Sequence, residues 1–217
     1  MSMTTTAETA VPGDALHIVS ARELDSGPDA RNRLADAAHG LLAALVRDGA
    51  ALGWVEPPDR AEIAALLDEV RAAARAGDAA LRVARLGEEL VGLGYWRRYA
   101  RPTHRPHADL EKLAVAGAAH GHGIGRALTA ALIADARRAG VEVLTLDARA
   151  DNTHALRLYT SLGFREYGRL PGFVAVGDRR YDKVFQMLDL RPAVRGRRAD
   201  GQDARPDAAD QGSRSVT

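Results

Sequence analysis

The stretch DLEKLAVAGAAHGHGIGRALTAALIADARRAGVEVLTLDA, residues 109–148, constrains the fold more than any other part of the chain. DLEKLAV alternates as a strand, the segment from about Ile124 to Ala139 has helical spacing, and VEVLTLDA reads as a second strand. Gly140 stops the helix just after Arg137 and Arg138, whose charges suit the negative end of its dipole. The result is a β-α-β unit with Gly121, Gly123 and Gly125 at its strand-to-helix junction. Unpaired amides there point along the helix axis and form a ready anion site, and glycines let a pyrophosphate approach without a side-chain clash.

The segments around this unit fix the remaining order. LHIVSA is a short strand, followed by a helix in which Leu34, Leu41, Leu42, Leu45 and Val46 recur at helical spacing, with Asp29 near its start. After Pro57 and Pro58, Asp59 caps a second helix, with Glu62 placed as in a capping box and Ile63, Leu66, Leu67 and Val70 on one face. Gly77 ends it. ALRVARL and ELVGLGYW flank Gly87 as an antiparallel hairpin. Beyond the β-α-β unit, NTHALRLYTSL is a short helix closed by Gly163, and FREYGRL with YDKVFQMLDL makes a last strand pair, with Gly172 and Asp182 near its turn. The expected order is β-α-α-β-β-β-α-β-α-β-β, a mixed α/β (α+β) arrangement with antiparallel strands in front of the β-α-β unit.

A chain of 217 residues, 46% of them hydrophobic, fills one core. That core is expected within residues 16–190, because residues 1–15 and 191–217 carry too few large apolar groups to offset the entropy of ordering. Thirty basic residues against 29 acidic ones leave a formal charge of +1, so no global field attracts nucleic acid or a membrane. Twenty-eight of the basic residues are Arg and only Lys112 and Lys183 are Lys, a usage that points to a GC-rich bacterial genome. The absence of cysteine excludes disulfides, thiolate metal sites and a covalent acyl-thioester on the enzyme. With no signal-like start and no apolar run of spanning length, the reading is cytoplasmic.

Two nucleotide motifs compete for the glycine loop. A Walker loop fails because Gly125 is followed by Arg126 and Ala127. The dinucleotide fingerprint lacks its third glycine, since Arg126 or Leu128 stands there, although Asp147 lies about where a ribose-binding acid would.

The sequence His120-Gly121-His122-Gly123-Ile124-Gly125 resembles the acetyl-CoA loop of the GNAT superfamily of N-acetyltransferases, Gln/Arg-x-x-Gly-x-Gly/Ala, with His120 in the Gln/Arg place. The likeness continues through LDARADNTHALRLYTSLGF, with Asn152, Ala155, Leu158, Tyr159, Gly163 and Phe164 in matching places. It covers about Leu16 to Leu190 and is closest from Leu110 to Phe164.

The resemblance implies a mostly antiparallel sheet with flanking helices, acetyl-CoA as acetyl donor and no metal. It implies that His120, Gly121, His122, Gly123, Ile124, Gly125 and Arg126 hold the pyrophosphate. Backbone groups of Leu113 and Val115 would bond the pantetheine arm, and the Val115 amide would polarise the thioester carbonyl. Asn152 would hold CoA or cap its helix. Tyr159 takes the place of the family tyrosine beside the thioester sulfur and is the candidate acid. Asp147 shares a strand face with Val143 and Thr145 and matches an acid that similar family members carry before that tyrosine. It is the first candidate base, and Glu111 is the second, or else a partner for Lys112. An ordinary Asp, with pKa near 4, needs burial or a bridging water to deprotonate an ammonium.

The acceptor is expected to be a small-molecule or peptide amine, attacking directly in a ternary complex, and a monomer or a homodimer both remain open. Trp54, Tyr95, Trp96, Tyr99, Phe173 and Tyr181 lie nearest the acceptor side. The Arg97, Arg98, Arg101, His104, Arg105 and His107 loop is either solvated or a lure for an acidic substrate. His104, His107, His120 and His122 share no carboxylate or cysteine at ligand spacing, so no metal is expected. The alternatives are a catalytically silent acyl-CoA-binding regulator and a nicotinamide-dependent oxidoreductase.

Overall fold

The structure, a computed structural model, describes residues 15–21, 23–24 and 29–192. The expected unordered segments therefore lie outside the described residues, except for Ala15, Arg191 and Pro192. The element order matches the expected one: β1 (Leu16–Ser20), α1 (Ala30–Arg47), α2 (Arg60–Arg75), β2 (Ala79–Leu86), β3 (Glu89–Arg98), β4 (His107–Val115), α3 (Ile124–Arg138), β5 (Val143–Arg149), α4 (Thr153–Ser161), β6 (Arg165–Val176) and β7 (Arg179–Asp189).

Helix α2 starts where Asp59 Oδ1 accepts the Glu62 amide at 2.8 Å, satisfying one of its orphan donors. The expected reciprocal half of the capping box does not form. Glu62 instead accepts the Trp54 indole Nε1–H at 2.6 Å, which ties the α1–α2 connection to the helix. Along α1 and α2 the apolar stripe of Leu34, Ala38, Leu42, Ile63, Leu67 and Val70 packs on Leu81, Val83, Leu93, Tyr95 and Ala114 of the sheet. The opposite face receives α3, with Leu132, Ile133 and Ala136 against Trp96, Ala108, Leu110 and Leu144. Arg82 reaches across to Asp135 of α3 with two bonds of 2.7 and 2.8 Å, a bidentate pair largely shielded from water.

The strands form one seven-stranded sheet in the order β1-β2-β3-β4-β5-β7-β6. Every neighbouring pair is antiparallel except β4 with β5, which α3 joins as a crossover. The last hairpin is longer than its sequence suggested. Its turn lies at Gly177 and Asp178, not near Gly172 and Asp182, because β6 runs on through Pro171 to Val176. Strand β6 is the sheet edge, where a proline removes no ladder bond, and the Gly172 amide is met by Asp182 Oδ1 at 3.0 Å.

Candidate active site

A parallel pair normally zips along its length, yet β4 and β5 pair only through His107–Asp109 with Val143–Thr145. Past that point β4 carries a bulge against β3, between the pairs Tyr95↔Glu111 and Leu93↔Ala114, with Lys112 at φ 51. The bulge shifts the alternation, so Asp109 and Glu111 share the Tyr95 side while Leu113 packs toward α3. Ala116 donates its amide to Val91 O at 2.8 Å, so antiparallel alternation turns the backbone groups of Leu113 and Val115 away from β3 and into the opening.

A cavity of about 720 Å³ occupies this opening. The glycine loop closes one side. Gly123 is the N-cap of α3 at φ 74 and Gly121 has φ 82, conformations that other residues adopt only with strain. Neither glycine has a neighbouring atom within 4 Å of where a Cβ would stand, so the loop leaves open space over the first amides of α3. A Cβ on Gly125 would lie 3.3 Å from Leu158 Cδ2, which keeps α3 and α4 close. His120 Nε2 lies 3.0 Å from Val115 O and His122 Nδ1 lies 2.9 Å from His120 O, so both rings brace the loop's own backbone. Arg126 donates to Ser161 Oγ at 2.8 Å, a neutral partner that leaves its charge uncompensated there.

Helix α4 supplies the next part. Asn152 caps it by accepting the Ala155 amide at 3.2 Å, and it also lines the cavity. Tyr159 is 7% exposed, packs against Phe164 at 5.8 Å between ring centroids, and borders the cavity. Burial, with a smaller contribution from Asp147, pushes its hydroxyl up to about 12, so it holds its proton throughout the neutral range.

Charged side chains form the remaining wall. Asp147 lines it as expected and pairs with Lys183 at 3.1 Å, while Arg149 turns to Asp151. Glu111 does not pair with Lys112. Its carboxylate accepts the Tyr95 hydroxyl at 3.1 Å and an Arg97 N–H at 3.4 Å. The bulge directs Lys112 elsewhere: Nζ donates to Leu52 O at 2.6 Å and sits 3.9 Å from the Trp54 ring centroid, fastening the α1–α2 connection to β4. Burial lowers the Lys112 pKa. Asp109 faces the same cavity and accepts the Thr145 hydroxyl at 2.6 Å.

The expected site residues Tyr159, Asp147, Glu111, Leu113, Val115, Asn152 and the loop thus line one cavity, apart from His122, which braces the loop beside it. The six aromatics expected near the acceptor contribute differently. Trp96 is buried toward α3, and Trp54 and Tyr95 act through Lys112 and Glu111. Of the Arg loop, Arg98 and Arg105 bond Asp78 and nearby carbonyls, a structural role. Sequence reading missed Asp109, Lys112, Lys183, His154 and Arg157, which also line the cavity. The chain's two lysines among 28 arginines both fall there, a signal that was present in the composition.

The model of the Acetyltransferase (GNAT) family matches residues 22–164. The chain belongs to the GNAT acetyltransferase family. Among solved structures, the GNAT fold extends to the Salmonella typhimurium acetyltransferase yncA, solved with its cofactor acetyl-CoA, at TM-score 0.68 and 23% identity over 90% of this chain and 100% of that one. The ribosomal-protein-alanine N-acetyltransferase of Brucella melitensis superposes at TM-score 0.67 with 26% identity, over 80% and 99% of the two chains. The [ribosomal protein bS18]-alanine N-acetyltransferase of Escherichia coli is 38% identical over 68 residues, 31% of this chain and 46% of its own. The matched stretches span less than half the length of the curated relatives. No described helix is long and apolar enough to cross a membrane.

Proposed function

We propose that this GNAT protein transfers the acetyl group of acetyl-CoA to a primary amine of a small molecule or peptide, by direct attack in a ternary complex. One observation carries the reading: a single cavity joins the opening between β4 and β5, the uncapped start of α3 and the protonated Tyr159. The pyrophosphate would lie on the amides from Gly121 to Arg126, with Arg126 adding charge. His154 stacks on His120, 6.3 Å between centroids, and Arg157 follows on the same helix, so both would border the CoA phosphates. The pantetheine arm would take the strand edge that β5 leaves free, bonding Leu113 and Val115, and the Val115 amide would polarise the carbonyl.

In this reading the neutral amine attacks the thioester carbonyl, the C–N bond forms as the C–S bond breaks, and Tyr159 protonates the departing sulfur. The chain has no cysteine to carry the acetyl group, which favours a ternary complex over a cysteine-borne intermediate. The acceptor would meet Asp109, Glu111 and Asp147, a wall suited to an ammonium. Bacterial relatives named for bS18 alanine and for L-methionine sulfone supply the first two acceptors to try: an alanine-terminated peptide and methionine sulfone. The test is thiol release from acetyl-CoA with each amine, followed by mass analysis of the product. Acetylated amine supports the reading, whereas binding of acetyl-CoA with no transfer to a broader amine panel would favour a silent acyl-CoA-binding regulator.

A further inference from the structure

Three carboxylates line the acceptor wall, and their surroundings differ. Asp147 lies 3.1 Å from the Lys183 ammonium, and Glu111 meets Arg97 and the Tyr95 hydroxyl. A cation already held on a carboxylate occupies oxygens that would otherwise receive the acceptor's ammonium. Asp109 has no cation within salt-bridge distance among the described residues, and its hydrogen-bond partner is the neutral Thr145 hydroxyl at 2.6 Å. It also belongs to the last residue pair before β4 and β5 separate, at the root of the opening in which the thioester would lie.

The chain of hydroxyls behind it continues. Thr145 Oγ1 lies 2.6 Å from the Tyr99 hydroxyl, and Tyr99 is partly exposed. With Asp109 ionised, Tyr99 donates to Thr145 and Thr145 donates to Asp109. With Asp109 protonated, each bond can reverse, and the far hydroxyl then donates outward. Such a file of hydroxyls would carry a proton from Asp109 toward the partly exposed Tyr99 without a mobile side chain.

We propose that Asp109 is the group that takes the acceptor's ammonium proton, and that Thr145 and Tyr99 pass this proton to solvent. The proposal rests on the transferase reading above. The balance is simple: an ammonium and a thioester become an amide, a thiol and one released proton. The released proton is the one assigned to Asp109. Of the two that remain in play on nitrogen, one stays in the amide and the other replaces the proton that Tyr159 gives to sulfur.

The groups facing Asp109 support this assignment. Burial raises its pKa to about 6, Glu111 and Asp147 push in the same direction, and Thr145 and Lys183 pull it down. Tyr95, Tyr99 and Tyr167 feel its charge from β3, the following loop and β6. A base with that affinity is matched to a neutral working pH.

Two measurements on the full chain test the proposal. In protein labelled at the Asp side-chain carboxyl carbon, the resonance that vanishes in Asp109→Asn is titrated by NMR. It is expected to have a midpoint near 6, moving higher in Thr145→Val because that hydroxyl stabilises the anion. A midpoint in the ordinary carboxylate range near 4 overturns the proposal. The kcat/KM for an alanine-terminated peptide is then followed against pH. The wild type is expected to lose activity in acid with the NMR midpoint, Thr145→Val to carry that limb to higher pH, and Asp109→Asn to fall about 10²-fold without the limb. Glu111→Gln and Asp147→Asn are expected to retain the limb at whatever rate they keep. Loss of the limb in either of these, with retention in Asp109→Asn, overturns the assignment. A wild type that transfers acetyl to no amine, while Asp109 still titrates near 6, refutes the transferase reading instead.

Discussion

In the proposed reading, the donor side of the cavity binds mainly through backbone and the acceptor side through side chains. The glycine loop and the start of α3 offer amides held by Gly121, Gly123 and Gly125, while the two loop histidines bond main-chain carbonyls. The opposing wall holds Asp109, Glu111, Asp147, Lys112 and Lys183, each in a distinct set of contacts. A backbone site tolerates changes of side chain but not of shape, so it suits a donor that stays the same. A charged wall changes its preference with one substitution, so it suits an acceptor that differs between relatives.

That division is tested first by Tyr159→Phe, with the largest effect. Turnover is expected to fall by roughly 10²-fold with acetyl-CoA affinity within about twofold. An affinity that falls in step with turnover would make Tyr159 a packing residue of the donor side. Next comes Gly125→Val, which presses a branched side chain against Leu158 and Val115, both of which line the cavity beside the start of α3. Losing one charge-assisted amide bond at about 1.5–3 kcal/mol is expected to weaken acetyl-CoA by about tenfold or more, with the acceptor KM unchanged. Calorimetry and steady-state kinetics separate the two terms.

Lys112→Met reverses this pattern on a smaller scale. It removes the Nζ bond to Leu52 O and the contact over Trp54, so the α1–α2 connection loosens at the acceptor wall. Acceptor KM is expected to rise a few-fold while acetyl-CoA affinity holds. A loss of acetyl-CoA affinity would place Lys112 on the donor side. The smallest effect concerns stability. Burial lifts Asp109 above its unfolded value near 4, so the native state binds that proton more tightly, and native stability declines as pH rises from about 4 to about 6. Asp109→Asn is therefore expected to melt slightly higher than wild type at pH 7, with the gap closing below pH 4 in a thermal scan.

The two sides were also unequally legible in the sequence. The donor side is local: the loop, the cap Asn152 and Tyr159 fall within forty residues, and their spacing fixes their geometry once α3 and α4 form. The whole element order was readable for the same reason, since each strand and helix carries its own period. The acceptor wall is not local. Asp109 meets Thr145 only through the β4–β5 register, Asp147 meets Lys183 only because β7 inserts beside β5, and Lys112 leaves Glu111 because of a one-residue bulge. None of these has a signature in neighbouring residues. The misplaced last turn has a similar cause: Pro171 reads as a strand breaker until β6 is known to be the edge.

In the proposed reading, the uncapped start of α3 and the opening beside β4 hold acetyl-CoA. Calorimetric titration of the purified chain with acetyl-CoA, with NAD in parallel, decides between this ligand and a dinucleotide. Saturable one-site binding of acetyl-CoA, weakened in Gly125→Val, with no heat from NAD, is the expected result. Binding of NAD, or no binding of either nucleotide, would contradict it.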